Sequence, residues 1–582
     1  MRVSTYEIIL PLIGTDDKEI PGKALLVNGL YGAIDVVDES VAAIFREGEL
    51  VKLPFALRER LMVRGHITRK DEEGELADAR LLGRVWNKLV GHAATGPVIL
   101  PTYDCNFRCP YCFERHRLTR GQEWLGHEMK PEMVEAVFAA LQKQRDKGHK
   151  INGVSLYGGE PLLKENKDTV RNICEHAKAM DLGLSGVTNG YDLDAYIDLL
   201  EEFEVSQLQV TVDGVGALND CRRLHRDGVP TYDKILQNVK LALDHGVDIN
   251  LRVNTNGDNI GGVKALIEDL AARGLQEATP EEREKAYKEA EEAKKAGKPK
   301  PKRKGFFSYY FKAVSEPADS PTKVTERQVM DAILAAGIPP MEAIRKQSQY
   351  SMPMNGLTAA MKQEDYPNFA PSFCGAEQGM LCIAPDGLLY SCWDLVAMEE
   401  EAVGFTDEDA GRFFFNFSKA KWRTRTADLM KPCQTCPYIF ICRGGCAPEA
   451  YRNHGSYFRE NCGESKEIFA FVAPRVVGKK WEELQAADAS CASEDANVAS
   501  RSCVRTSTSC ASADANVASR SCARTSASCA SEFSVSLAGP VSRLTEKERE
   551  TLMTSTSQKE MFDIIKEAGI FFSEEKNEEK QR

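Results

Sequence analysis

From residue 98 onward, short apolar runs alternate with longer stretches whose apolar residues recur every three or four positions. Val98–Leu100, Val154–Tyr157, Leu184–Val187, Leu208–Val212, Val247–Leu251 and Phe306–Val314 read as strands. Between them Pro131–Lys147, Lys167–Met180, Tyr232–His245 and Gly262–Arg273 read as helices, and Pro131 suits a first helical turn. Strand–helix alternation carried through six strands predicts a parallel sheet with crossover helices.

The first 93 residues follow a different pattern. Tyr6–Ile13, Ala24–Asn28 and Leu30–Val37 predict strands, and Asp38–Arg46 and Phe55–Arg64 predict helices, with Asp38 as N-cap of the first. His66–Arg84 is then expected to form a wing-like hairpin turning at Glu73-Gly74. Residues 276–304 are rich in Glu and Lys and read as a solvated helix and linker inserted before the sixth strand. Ser490–Cys503 recurs as Ser509–Cys522 with a period of 19, and a third copy starts at Ser528. Its small polar residues have little to bury, so residues 481–532 are expected to be a low-complexity insertion, with helices resuming near Leu544.

The chain has 582 residues, enough for about four domains, and ordinary globular composition at 42% hydrophobic and 28% charged. A net charge of −12 disfavours a nucleic-acid partner, since phosphate binding needs a basic surface. No run of 18 apolar residues and no signal-peptide pattern is present, so neither a membrane partner nor export is expected. The expected location is cytoplasmic. There the 18 cysteines point to metal or cluster ligation in preference to disulfides.

Their distribution is uneven. Cys105, Cys109 and Cys112 lie in one loop, eight fall between Cys374 and Cys462, and five lie in the repeat. Cys174 and Cys221 read as small, partly buried residues. Three thiols at C-x3-C-x2-C spacing can converge on one metal centre. Zinc sites close with four ligands, whereas three cysteines on a 4Fe–4S cluster leave one iron open. This spacing, Cys105-Asn106-Phe107-Arg108-Cys109-Pro110-Tyr111-Cys112, resembles that of the radical S-adenosylmethionine (SAM) enzymes.

The strand ends carry further points of likeness. Gly158-Gly159-Glu160-Pro161 follows the second strand and looks like the family's GGEP motif. The resemblance implies that it holds the SAM amine, with Glu160 accepting from the ammonium. Thr188-Asn189-Gly190 resembles the TNG turn near the SAM ribose or carboxylate. Thr211-Val212-Asp213-Gly214 stands where relatives often have Ser-x-Asp-Gly. Arg252, which with Asn254 closes the fifth strand, could pair with the SAM carboxylate, and Tyr111 sits where relatives place an aromatic beside adenine. The implied fold is α/β, a partial (β/α)6 barrel over residues 94–325, with chemistry at the carboxyl ends of the strands.

Cys433-x2-Cys436-x5-Cys442-x3-Cys446, followed by Cys462 and preceded by Cys374 and Cys392, resembles the SPASM domain. Relatives with the full set bind two auxiliary 4Fe–4S clusters. Carried over by position, Cys433, Cys436, Cys442 and Cys462 serve one cluster. Cys374, Cys392 and Cys446 serve the other, with Cys382 as its fourth ligand or else a core residue. A zinc ribbon on the C-x2-C pair stays open. The implied layout has bridging helices at 326–372, the cysteine-rich domain at 373–480 and a helical tail at 533–582.

Leu26–Ala33, with the strands and wing around it, resembles the winged-helix recognition element of enzymes that modify ribosomally made peptides (RiPPs), where a leader adds as an edge strand. A purely structural cap over residues 1–93 is the alternative. The expected function is therefore that of a radical SAM/SPASM maturase acting on a peptide or protein, with thioether formation at a cysteine favoured. Its cofactors are SAM and three 4Fe–4S clusters, fed by an electron donor such as flavodoxin or ferredoxin. A formylglycine-forming sulfatase maturase is the second enzymatic reading, weakened because Asp394 follows Cys392 one residue late. A non-catalytic metal-binding or peptide-carrier protein is the reading from another class. No catalytic acid or base is identified.

Overall fold

A computed structural model describes residues 1–89, 96–298, 301–361, 370–502 and 534–536. Strands β1 (Glu7–Ile13), β2 (Glu19–Asn28) and β3 (Ala33–Asp38) form an antiparallel meander, followed by α1 (Glu39–Glu47) and α2 (Phe55–Val63). Asp38 does stand at the N-cap of α1, but its side chain makes no capping bond; it pairs with Lys23 at 2.6 Å.

The expected hairpin over His66–Arg84 is not formed. Ile67–Thr68 pairs with Arg2–Val3, and the remainder is helix α3 (Glu72–Leu89). Leu76, Ala79, Leu82 and Val85 recur at helical spacing, and Glu72, Glu73 and Glu75 favour the positive end of a helix dipole. Buried Glu75 also accepts from Ser4 Oγ at 2.6 Å and Arg2 Nη2 at 2.6 Å, which ties α3 to the chain's start.

Six parallel strands follow in chain order: β4 (Pro97–Ile99), β5 (Gly153–Leu156), β6 (Gly183–Thr188), β7 (Gln207–Thr211), β8 (Asp248–Thr255) and β9 (Phe307–Ala313). Their crossovers include α4 (Pro131–Asp146), α5 (Lys167–Ala179), α6 (Tyr232–Asp244) and α7 (Val263–Ala272). Each helix buries one face. Val134, Val137, Phe138 and Leu141 of α4 lie in the core, each contributing roughly 1.5–3 kcal/mol by area. The Glu/Lys-rich insertion contains α8 (Pro280–Lys295), laced by Lys288–Glu284 and Lys295–Glu291 pairs four residues apart.

The cysteine-rich segment extends the same sheet. β10 (Leu381–Ile383) pairs in parallel with β4, and β11 (Leu388–Tyr390), β12 (Gly404–Asp407) and β13 (Arg412–Phe415) continue it antiparallel. The result is one mixed sheet of ten strands, running β9-β8-β7-β6-β5-β4-β10-β11-β12-β13. An α/β architecture built on one large mixed sheet is therefore present.

The N-terminal segment is not detached from this body. Tyr6, Leu30, Tyr31, Ala79, Leu82 and Val85 share a core with Met430, Cys433, Ile439 and Phe440. Tyr6 also donates to the Gln434 carbonyl at 2.6 Å. Helix α9 (Ser465–Ser502) returns from the cysteine field to β1 and β2, burying Phe469, Val472 and Val476 against the cluster that holds Leu12 and Leu25. Its backbone remains helical into the first repeat copy; the rest of the repeat and the tail beyond 536 lie outside the described residues. One further strand, Ser534–Ser536, pairs antiparallel with the outer edge of β3. Among the described residues no helix is long and apolar enough to cross a membrane.

Candidate cluster and cofactor site

The loop after β4 carries Cys105, Cys109 and Cys112. It is locked to the turn after β5 by backbone bonds, Glu160 N to Asp104 O at 2.8 Å and Gly159 N to Thr102 O at 3.4 Å. That approach requires glycine. A Cβ on Gly159 would overlap the Asp104 carbonyl, and Gly158 adopts φ +130° with the Thr102 carbonyl 2.7 Å from where a Cβ would stand. Pro161 then leads the chain away.

Glu160 is buried, and its carboxylate accepts from Leu162 N at 2.9 Å, Thr188 Oγ1 at 2.6 Å and Asn189 N at 2.5 Å. Burial holds its acidity near 7 against those three donors. A carboxylate offers about four lone-pair sites, so one remains for an incoming cation. Asn189 reaches Asn106 Oδ1 at 2.6 Å, and Asn106 in turn donates to Asp192 at 3.1 Å. The β6 end thus grips the cysteine loop from a second side.

A third hold comes from β7 and β8. The Tyr111 hydroxyl donates to Asp213 Oδ2, and Asp213 Oδ1 accepts from Asn254 N at 3.0 Å. Arg223 donates to the Tyr111 hydroxyl at 3.2 Å, and Arg222 lies over the Tyr111 ring at 4.9 Å. Thr211 is buried at the end of β7, in register with Arg252, whose Nε donates to Asn254 Oδ1 at 2.8 Å. Arg222, Arg223 and Asn106 were not anticipated; the one signal was the adjacent arginine pair just past Asp213.

Burial pushes all three thiols of the loop up, and each of Cys105 and Cys112 feels the charge of its neighbours in the set. Arg223 opposes that effect at Cys109, and Phe107 N donates to Cys105 Sγ at 3.3 Å. Half-buried thiols, a guanidinium and an N–H···S bond form a donor set that fits an anionic thiolate-ligated cluster. Among the described residues no group of three or more His, Cys, Asp or Glu side chains closes on a single metal ion.

In the second cysteine field burial again pushes the thiols up. Besides its burial, Cys392 feels Cys374 and Cys382, and Cys374 feels Cys446. Cys433 feels Cys442, Cys436 and Cys462. Cys382 faces inward from β10, in register with Val98 and Tyr390, and is fully buried. The loops are stapled by buried Arg425, which pairs with Glu377 at 2.5 Å and donates to the carbonyls of Gly445, Gly444, Tyr457 and Arg459. Sequence reasoning passed over this residue.

Tyr157, just past β5, stacks on Trp393, the residue after Cys392, at 5.8 Å. Asp394 lies beside them, its carboxyl raised by burial although Arg452 and Lys312 oppose the shift. Glu114, paired with Arg117, is likewise raised to about 7 by burial.

Residues 99–270 match the Radical SAM superfamily, a family that uses SAM and a 4Fe–4S cluster, and form a radical SAM domain. The GTP 3′,8-cyclase of Nautilia profundicola is 29% identical over 176 residues, 30% of this chain and 52% of that one. The chain thus spans about half the length of that relative. Among solved structures, native anSMEcpe with bound AdoMet covers 66% of this chain and 98% of its own at 15% identity and TM-score 0.47. SuiB of Streptococcus suis bound to S-adenosylmethionine covers 80% and 100% at 14% identity and TM-score 0.41.

Proposed function

We propose that the chain is a peptide- or protein-modifying radical SAM enzyme whose favoured product is a cysteine thioether in a RiPP precursor. The observation that supports this reading is the pairing of β10 with β4, which joins the cysteine-rich segment to the sheet at the strand that leads into the Cys105/Cys109/Cys112 loop. On this reading Cys105, Cys109 and Cys112 hold the SAM-binding cluster. Cys374, Cys382, Cys392 and Cys446 hold one auxiliary cluster, and Cys433, Cys436, Cys442 and Cys462 the other. Gly158, Gly159, Glu160, Pro161, Thr188, Asn189, Thr211, Asp213, Arg252 and Tyr111 surround SAM.

When bound, SAM and its cluster supply a 5′-deoxyadenosyl radical that removes a hydrogen atom from an unactivated carbon. The chain's own contribution is orientation. Glu160 offers its remaining lone pair to the SAM ammonium, and Arg252 offers its guanidinium to the carboxylate. Tyr111, fixed between Asp213 and Arg223, packs near the adenine. Thioether closure also releases a thiol proton and one electron. Asp394, half-buried beside Trp393 with its carboxyl pushed up by partial burial, is the group this reading gives the proton to. The electron would pass to an auxiliary 4Fe–4S cluster, which the C-terminal cysteines would hold.

The same Asp394 supports a second reading, formylglycine formation on a sulfatase, despite its one-residue offset from Cys392. The two separate by product. Anaerobic turnover with a cysteine-containing peptide should give deoxyadenosine together with a two-hydrogen mass loss that persists after thiol alkylation and reduction. An aldehyde trapped by a hydrazide at the cysteine would instead favour the sulfatase reading. Deoxyadenosine with no change in any peptide or protein tested would count against both.

A further inference from the structure

Lys419 and Arg117 stand beside the segments around Cys382, Arg117 with Glu114 as its acidic partner and Lys419 with none among the described residues. Lys419 Nζ donates to the Met380 carbonyl at 3.0 Å and to Ser391 Oγ at 3.2 Å. Met380 stands two residues before Cys382, and Ser391 directly precedes Cys392, so the ammonium is wedged between the backbone segments that carry both thiols. Its two partners are neutral, and no ion pair to Lys419 is formed among the described residues. From the other side comes Arg117, 2% exposed, its Nη2 on Glu114 and its plane 5.4 Å from the Tyr103 ring. Arg117 Nε and Nη1 are buried with no hydrogen-bond partner among the described residues. Tyr103, beneath Arg117, shares an apolar core with Cys382.

Burying a guanidinium with two idle donors costs stability unless an anion answers it. Four thiolates around a 4Fe–4S core carry net negative charge, and nearby charge is one of the means by which a protein sets a cluster's potential. We propose that Lys419 and Arg117 are the counter-charges of the Cys374/Cys382/Cys392/Cys446 cluster, that Cys382 is its fourth ligand, and that the two cations raise its reduction potential above that of the Cys433/Cys436/Cys442/Cys462 cluster. The pair thereby marks this cluster as the better electron acceptor of the two. The inference rests on the auxiliary-cluster reading given above and specifies it.

The experiment is an anaerobic redox titration of the iron-loaded full chain followed by electron paramagnetic resonance. In Lys419→Met one cluster signal should move to lower potential while the others stay in place, and Lys419→Arg should restore it. Cys382→Ala should alter that same signal. Potentials unmoved in Lys419→Met, or Cys382→Ala acting on a different signal, would overturn the proposal. If Lys419→Met fails to load iron, Arg117→Met removes the second cation and is read by the same criterion. Failure of the underlying reading looks different: the unmodified chain would then hold no auxiliary signal to move.

Discussion

His66 is fully buried with a carboxylate on each ring nitrogen, Glu7 at 2.9 Å from Nδ1 and Asp35 at 2.6 Å from Nε2. Both nitrogens must donate, and only the imidazolium can do so. Burial alone would lower its pKa, yet Glu7 and Asp35 raise it to about 9. Burial raises Glu7 as well, but the two-sided geometry places the proton on the imidazole. Against an ordinary value near 6.5, holding that proton is worth on the order of 3 kcal/mol to the N-terminal sheet. The contribution is complete below pH ~6.5 and is lost as pH rises through about 9, where one carboxylate loses its imidazole donor. The assay is hydrogen exchange resolved over residues 19–38 at pH 6 to 10, corrected for intrinsic exchange rates, in the unmodified chain and His66→Gln. Protection should fall across that window in the first, whereas the variant should start lower and show little further fall. A flat profile in the unmodified chain, or the same slope in both, would refute the reasoning.

Glu160→Gln places an amide N–H against backbone donors and removes a charge-assisted contact, so SAM affinity measured by equilibrium dialysis should weaken roughly ten- to hundredfold. Arg425→Met strands buried Glu377 and four carbonyls; loss of ~3–5 kcal/mol, read by urea unfolding, should accompany iron loss from the C-terminal field. Deleting residues 1–89 strips the apolar cover from Cys433, so iron should fall by one cluster's worth, measured by metal analysis, rather than only peptide docking being lost. Removing Ser534–Ser536 frees the β3 edge, and exchange at Ala33–Asp38 amides should quicken while the β1–β2 ladder keeps its protection.

The parallel part of the sheet was legible because a parallel strand needs a continuous apolar run and its crossover helix a three-to-four-residue period, signals that local sequence carries. The hairpin expected at His66–Arg84 failed where Glu73-Gly74 was weighed above the helical spacing of Leu76, Ala79, Leu82 and Val85. What could not be read was tertiary. Nothing local says that β10 would join β4, that Tyr6 would reach Gln434, or that Arg425 would reach Glu377, Tyr457 and Arg459, since each depends on residues over 30 or even 400 positions apart. Cys382 shows the same limit from the other direction: its spacing departs from the commoner pattern, and only the register with Tyr390 and the approach of Lys419 relate it to Cys392.

The central claim is that the Cys105/Cys109/Cys112 loop holds the cluster that cleaves SAM, alongside two further clusters. Iron in the anaerobically reconstituted full chain should reach ~12 per chain, as three 4Fe–4S clusters require. With Cys105, Cys109 and Cys112 all replaced by Ala, iron should fall by about a third and deoxyadenosine formation should cease, the remaining signals persisting. Stoichiometric zinc in place of iron, or deoxyadenosine still formed by the triple variant, would contradict the account.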